Sequence, residues 1–272
     1  MRRHKYFALW LLAAPAMLLP AGGQAQSLPQ PHRPPAAAPE PEHPPIEPAA
    51  IAMLQATSKR LAGLKSMTFT VVSTYESIAR TGQSLFFTTQ SEVTVQRPNK
   101  LRVLTPGDGP ASNFYYDGKT MTAYAPDENL VAVADAPPTM EAMLRAAYDQ
   151  AAIYFPFSVI LADDPYKNLS DGLTSAFVVG QSHLVDGVVT DMVAFTNKNV
   201  HGEIWIGVDD GLPRMYRVNF LNDPQHLHYQ VDLYDWHPNV KLGPGDFTSA
   251  EALKAPHMKF DRPDAPAKAR TN

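Results

Sequence analysis

The stretch that decides the fold spans residues 67–96 and begins Met67-Thr68-Phe69-Thr70-Val71-Val72-Ser73-Thr74-Tyr75-Glu76. Apolar and polar side chains alternate in it, a turn follows at Thr81-Gly82, and the alternation resumes from Ser84 to Gln96. A period of two with one apolar and one polar face indicates antiparallel strands that bury one side. The stretch therefore predicts two long paired strands at the start of a sheet.

The pattern continues toward the C-terminus as a succession of shorter strands. Arg97-Pro98-Asn99 ends the second strand because proline cannot donate to the ladder, and Asp117-Gly118 and Asp186-Gly187 are typical of tight hairpin turns. The further alternating segments are residues 100–104, 114–116, 120–124, 130–134, 176–185, 188–196, 203–208, 213–221 and 226–236. We therefore expect an α+β protein built on one antiparallel sheet of about ten to eleven strands.

Two helical segments accompany these strands. Pro48 suits a first helical position, and apolar residues recur after it at helical spacing up to Leu64. Thr139 can cap a second helix, whose apolar stripe begins at Met140 and ends before Pro156. Both stripes predict helices that pack on the apolar face of the sheet.

The N-terminus has the features of a secretory signal peptide. Three basic residues among the first five precede an apolar run from Tyr6 to Leu19, and small residues before Ala25 suit cleavage there. A membrane-spanning helix needs about 20 apolar residues, so the run is short for an anchor. The chain has no cysteine, which excludes disulfides and a cysteine-linked lipid. We expect residues 1–25 to be removed and the mature protein to be soluble in the periplasm.

Composition divides the chain after residue 25 into a linker, one domain and a tail. Residues 26–47 are rich in proline and predict a disordered linker. Residues 255–272 predict a flexible tail, which leaves residues 48–254 as one domain.

Charge and motifs restrict the function. The net charge is −4, and removing the three basic residues of the signal peptide gives −4 − 3 = −7, which provides no general attraction for nucleic acid. The sequence has neither a Gly-x-Ser-x-Gly elbow nor a phosphate-binding glycine loop. His226 and His228 share one strand face, but a zinc site needs three or four ligands and no spacing supplies them. We expect no enzyme, no cofactor and no metal site.

Several motifs carry a resemblance to known families. Arg97-Pro98-Asn99, followed by a strand and then Asp117-Gly118-Lys119-Thr120, resembles the periplasmic lipoprotein carriers called LolA, and Glu203-Ile204-Trp205-Ile206 with Leu212-Pro213-Arg214 is similar to their second half. From about Glu47 to Phe247 the chain resembles DUF2092, a related group of exported bacterial proteins. The resemblance implies a LolA-like half-open barrel, in which one strongly curved antiparallel sheet wraps around helices and encloses an apolar cavity.

The apolar face of the sheet and the methionines of the second helix supply candidate cavity residues, because methionine adapts to irregular spaces. The candidates are Phe69, Tyr75, Leu85, Phe87, Phe114, Met121, Met140 and Met143. Each of them can instead be an ordinary core residue, and the resemblance favours the cavity for the set. Arg97 and Arg102 flank the proline turn and are candidates for contact with a lipid headgroup or a partner's acid, although Arg102 can equally be a solvated strand residue.

Two functional hypotheses follow. The first is a periplasmic carrier or receptor, monomeric and without catalysis, that binds a lipid or a lipidated protein in an apolar cavity. The alternative is an interaction or sensor module that contacts a membrane or regulatory protein partner.

Overall fold

The computed structural model describes residues 46–107, 110–225 and 227–262. The strands, in chain order, are β1 (Ser66–Ile78), β2 (Ser84–Gln96), β3 (Lys100–Gly107), β4 (Ser112–Tyr116), β5 (Thr120–Ala125), β6 (Leu130–Asp135), β7 (Ser175–Ser182), β8 (Thr190–Thr196), β9 (Val200–Gly207), β10 (Pro213–Phe220), β11 (His228–Pro238) and β12 (His257–Met258). The helices are α1 (Pro48–Gly63), α2 (Met140–Ala151), α3 (Ser158–Leu161) and α4 (Pro165–Ser170).

The described strands form one sheet of twelve, in the order β12-β6-β5-β4-β3-β2-β1-β11-β10-β9-β8-β7. Every neighbouring pair is antiparallel except β12 and β6. The sheet is open, because its edge strands β12 and β7 do not pair with each other. The α+β class and the curled antiparallel sheet are confirmed. The strand beyond the expected eleven is β12, whose two residues give no alternation to detect.

The β1–β11 pair joins the two halves of the sheet. Tyr75 faces Tyr229 and Val71 faces Leu233 across this pair, so the chain must return from far along its length to complete the centre. On the other side β1 pairs with β2 over its whole length, from Ser66 to Ile78.

The helices lie on one side of the sheet, the inner face, which carries Phe69 and Val71. Helix α1 begins at Pro48 as expected, and it buries Leu54 and Leu61. Thr139 caps α2 by accepting from the amide of Ala142 at 3.3 Å, which satisfies one orphan donor of the first turn. The sequence patterns did not predict α4, where Asp164 accepts from the amide of Lys167 and Pro165 takes a first-turn position. A helix this short has no apolar periodicity to reveal it.

An aromatic cluster fixes the core under α2 and α3. The ring of Phe69 stacks on Trp236 at 4.5 Å and meets the edge of Phe157 at 6.0 Å. Phe155 continues the cluster, 5.7 Å from Phe157. Pairs of this kind contribute about 0.5–1.5 kcal/mol beyond their buried area, so the inner face is tightly packed here.

The ends of the domain extend slightly past the expected boundaries. Ile46 bridges to Ala176 of β7, and the Glu47 carboxylate accepts from the amide of Val178 at 2.9 Å. Ala255 is buried on the outer face, and β12 follows it. The division into signal peptide, linker, domain and tail stays a prediction, because residues 1–45 and 263–272 lie outside the described residues.

Candidate ligand-binding groove

The helices cover only part of the inner face, and the remainder forms a groove of three adjoining cavities. The α1 cavity, about 270 Å³, lies between α1, α4 and strands β8–β10. The central cleft, about 990 Å³, lies over β1–β4, and the β5 cavity, about 260 Å³, lies over β3–β6. The α1 cavity and the cleft share Tyr154, Pro156 and Tyr229 in their walls, and the cleft and the β5 cavity share Ile153 and Phe155. The cavities therefore adjoin one another along the inner face.

The α1 cavity is apolar. Leu61, Ile160, Ile204 and Val218 contribute to its lining, and none of its described lining residues carries a charge. An apolar protein cavity of about 150 Å³ stays dry and binds benzene. A volume of about 270 Å³ is therefore enough for a hydrocarbon segment. The Thr57 hydroxyl, in the wall, is buried without a hydrogen-bond partner among the described residues.

The floor of the central cleft is a row of hydroxyl side chains on the inner face, which we call the hydroxyl row: Ser73, Thr89, Ser91, Thr105 and Ser112. Pairing between adjacent strands places these side chains opposite one another. Ser73 faces Thr89 across β1 and β2, and Thr105 faces Ser112 across β3 and β4. Ser91 and Thr105 share a hydrogen bond of 2.8 Å. The floor can therefore both donate and accept hydrogen bonds.

The walls of the cleft are aromatic and nearly uncharged. Tyr75, Tyr148, Phe220 and Tyr229 surround the floor, and Arg145 is the one basic or acidic side chain among the described lining residues. Burial raises the pKa of Tyr229, so its phenol stays protonated near neutral pH. Its hydroxyl lies beside Ser73 without hydrogen-bond geometry to any described residue.

A short segment after α2, residues 153–157, separates the compartments, and we call it the bridge segment. Ala152 adopts a left-handed conformation that ends α2 and redirects the chain. The buried Tyr216 hydroxyl donates to the carbonyl of Pro156 at 2.8 Å, and burial raises the pKa of this phenol well above its ordinary value. The bridge segment is therefore anchored to β10 while Tyr154 stays exposed.

The candidate cavity residues separate into two groups. Four of them, Phe69, Met121, Met140 and Met143, are buried in the packed core and line neither the α1 cavity nor the central cleft. Phe114 is also buried, and it forms part of the wall of the β5 cavity. The first four therefore lie in the dense packing of the core, and Phe114 is the one of the five that also lines a cavity.

The other three lie farther along the β1–β2 hairpin. Tyr75 lines the central cleft and stacks on Phe87 at 5.5 Å between ring centres. Leu85 and Phe87 are exposed, at 37% and 45%. This end of the hairpin extends beyond the helices, which places apolar side chains at the entrance of the cleft.

Arg97 lies inside the protein. Its guanidinium donates to the carbonyls of Leu161 (3.1 Å), Ile160 (3.3 Å) and Ala162 (3.1 Å), and it lies 3.5 Å from Asp163. The side chain is 11% exposed, and burial lowers its pKa. These contacts hold the end of α3 on the sheet.

Arg102 lies on the outer face. Its guanidinium donates to the buried Thr94 hydroxyl at 3.0 Å, and it faces Tyr115 across β3 and β4. The outer face is opposite the groove, so Arg102 does not reach the ligand compartments.

Sequence reasoning missed the hydroxyl row. The signal was present: the apolar alternation of β1 stops at Ser73, and that of β2 is interrupted at Thr89 and Ser91, in matching register. Hydroxyl residues on the buried face of a sheet leave polar groups that require partners. Such a break on adjacent strands indicates a polar compartment.

The motifs that carry the family resemblance meet in space. Gly118 has a φ of +97°, and a Cβ there would lie 2.9 Å from Nδ2 of Asn99. Asn99 in turn donates to the carbonyl of Pro138, and Asp117 accepts from the amides of Lys119 and Thr120. The two turns therefore lie against each other at the end of the sheet opposite the β1–β2 turn.

His228 bonds to Glu76 through Nδ1 at 2.8 Å. Hydrogen bonds from Ser84 and from His228 lower the pKa of Glu76 to about 2. Within the described residues no group of three or more His, Cys, Asp and Glu side chains has metal-binding geometry, and no helix is long and apolar enough to cross a membrane. His226 lies outside the described residues.

Comparison with known proteins identifies similar solved structures and the family of the chain. No curated protein matches it. Similar solved structures include LprF from Mycobacterium bovis (17% identity, 74% of this chain and 99% of that chain covered, TM-score 0.47). A second is the MucA/MucB complex of Pseudomonas aeruginosa (20% identity, 75% of this chain and 62% of that chain covered, TM-score 0.43). A third is a LolA superfamily protein of Nitrosomonas europaea (9% identity, 74% of this chain and 97% of that chain covered, TM-score 0.35). A family model described as a predicted periplasmic protein matches residues 50–261, in agreement with the expected location. Because this match spans more than half of the 272 residues, the chain belongs to that family, DUF2092.

Proposed function

We propose that this periplasmic protein is a carrier or receptor that binds an amphipathic ligand, a lipid or a lipidated molecule, in the groove. The observation that carries the proposal is the row of three adjoining cavities on the inner face, with largely apolar compartments beside a hydroxyl-lined cleft. A fold that needed only stability would fill this space, because protein interiors are close-packed.

Burial of hydrocarbon supplies the affinity. Each methylene moved out of water contributes about 0.8 kcal/mol, so about ten methylenes contribute about 8 kcal/mol. Association itself costs about 4–15 kcal/mol, and hydrogen bonds to the hydroxyl row add orientation. The proposal needs no catalytic step, because binding alone accounts for the groove. Burial raises the pKa values of Tyr216 and Tyr229 in its lining, so both phenols stay protonated and can donate hydrogen bonds.

Native mass spectrometry of the mature protein isolated from a bacterial periplasm tests the proposal, followed by organic extraction of whatever is bound. We expect a stoichiometric amphiphile. Val218→Trp fills the α1 cavity and should reduce this occupancy, whereas Val208→Trp, at an exposed position outside the groove, should not. An apo mass for the parent protein, with no uptake of a fluorescent fatty acid, would refute the proposal.

A protein-binding role is the second candidate, and one observation favours it. Phe86 is 66% exposed on the outer face of the β1–β2 hairpin and forms a surface pocket with Phe177. A photo-reactive residue at position 86 should then cross-link one defined partner in cells, while the same residue at exposed Leu253 should not. Equal, diffuse labelling from both positions would exclude this role for the hairpin.

A further inference from the structure

We propose that the groove selects a ligand with two apolar chains joined by an uncharged, hydrogen-bonding centre; this inference deepens the proposed function and rests on it. Two largely apolar compartments of similar volume, about 270 and 260 Å³, lie on opposite sides of the central cleft, and the second also has Lys259 and Asp261 in its wall. The hydroxyl row lies between them. The order along the groove is therefore apolar, polar, apolar.

Each end compartment suits one chain. The volumes are less than twice the roughly 150 Å³ that hold a benzene molecule in an apolar cavity, so two chains side by side do not fit in either. The α1 cavity is bounded by Leu61, Ile160 and Val218, and the β5 cavity by Val103, Phe114 and Ala123. The two chains must therefore leave the centre in opposite directions.

The bridge segment enforces this separation. Tyr154 and Pro156 stand between the α1 cavity and the cleft, and Ile153 and Phe155 stand between the cleft and the β5 cavity. Its anchor to β10, the bond from Tyr216, fixes the partition at the α1 side. A ligand that occupies all three compartments passes beneath this segment twice.

The charge of the cleft lining determines which chemical groups suit the centre of the ligand. The cleft presents five serine and threonine side chains from β1–β4 and one basic residue, Arg145, which is exposed on α2. A phosphate buried over this floor would lack the cationic partners that a desolvated anion requires. Ester, amide and hydroxyl groups are matched instead, because serine and threonine both donate and accept. A glycerol or amino-alcohol linkage that carries two acyl chains has this chemistry.

The test compares one-chain and two-chain probes with the same neutral centre, monopalmitoylglycerol and dipalmitoylglycerol, by displacement of a fluorescent fatty acid and by native mass spectrometry. Val218→Trp blocks the α1 cavity, Ala123→Trp blocks the β5 cavity, and Val208→Trp is the matched control outside the groove. Leu130→Trp, at the edge of the β5 cavity, replaces Ala123→Trp if circular dichroism shows that the latter does not fold.

We expect the parent protein to bind dipalmitoylglycerol at least tenfold more tightly than monopalmitoylglycerol, since each additional buried methylene raises affinity about fourfold. Either block should remove that advantage and leave monopalmitoylglycerol bound through the other compartment, and the double variant should bind neither probe. Dipalmitoyl phosphatidic acid should bind at least tenfold more weakly than dipalmitoylglycerol.

Equal affinity for the one-chain and two-chain probes, or no effect of the β5 block, overturns the two-chain inference and leaves the proposed function standing. Preference for the phosphatidic acid overturns the uncharged centre. Failure of the parent protein to bind any of the three probes overturns both the inference and the proposed function.

Discussion

Replacement of Arg97 by methionine should destabilise the domain by about 3 kcal/mol. The guanidinium donates to three main-chain carbonyls at the end of α3, and those residues are at most 3% exposed. A buried acceptor that loses its partner costs about 1–3 kcal/mol. The lower end of that range for three carbonyls gives about 3 kcal/mol. Methionine keeps the apolar stem of the side chain, so the loss of stability measures the contribution of the hydrogen bonds.

Urea unfolding followed by the fluorescence of Trp205 and Trp236 measures this free energy. Asp163→Asn is the matched control: Asp163 is 68% exposed, and an exposed ion pair contributes at most about 1 kcal/mol. Arg97→Lys should recover only part of the loss, because one ammonium cannot reproduce a fork with three acceptors. If the stability of Arg97→Met is unchanged and its binding to anionic vesicles is weaker, Arg97 contacts a headgroup. The stabilising role assigned to its hydrogen bonds with α3 is then wrong.

Three further results are expected. Gly202→Val should cost about 1–3 kcal/mol in thermal melts and reduce ligand uptake, because a Cβ there would lie 2.3 Å from the Phe195 ring and force that ring toward the α1 cavity; unchanged uptake would contradict this. Met143→Ala should lower the free energy of unfolding by about 2–5 kcal/mol and spare ligand affinity, since Met143 is fully buried in the core; lost affinity in a folded variant would instead make it a ligand contact. The Glu76 carboxylate, followed by NMR, should titrate near pH 2 instead of 4.5; because its folded pKa is depressed, its stabilising contribution is complete above about pH 4.5 and is lost as pH falls toward 2.

The sheet was accessible to sequence reasoning because each strand carries its own local signal. Alternation fixed the faces of β1 and β2, and Asp-Gly pairs located the turns at Asp117-Gly118 and Asp186-Gly187. Elements without a repeating pattern escaped: β12 has two residues, and α4 has six. Their positions depend on packing against distant segments, which no local window contains.

The groove was less accessible, for a physical reason visible on a single strand. Phe69 and Tyr75 lie on the same face of β1, yet one is 2% exposed under α3 and the other is 39% exposed in the cleft wall. Alternation reports only the face of a residue. Whether that residue is core or cavity depends on where the covering helices end. The position of Arg97 was inaccessible for a related reason. Its place beside a turn suggested that the side chain is exposed to solvent, but the end of α3 supplies main-chain carbonyls that accept from its guanidinium.

The central position of β1 also governs how the exported chain can fold. One edge of β1 pairs at once with its neighbour β2, but the other waits for β11, and 152 residues separate Glu76 from His228. A chain that crosses the membrane from its N-terminus therefore presents a long, half-paired hairpin well before its final partner emerges. Long-range pairing of this kind is slow, and an open strand edge is a template for association with other chains. The edge of β1 therefore stays open to association until β11 has been exported and has paired with it.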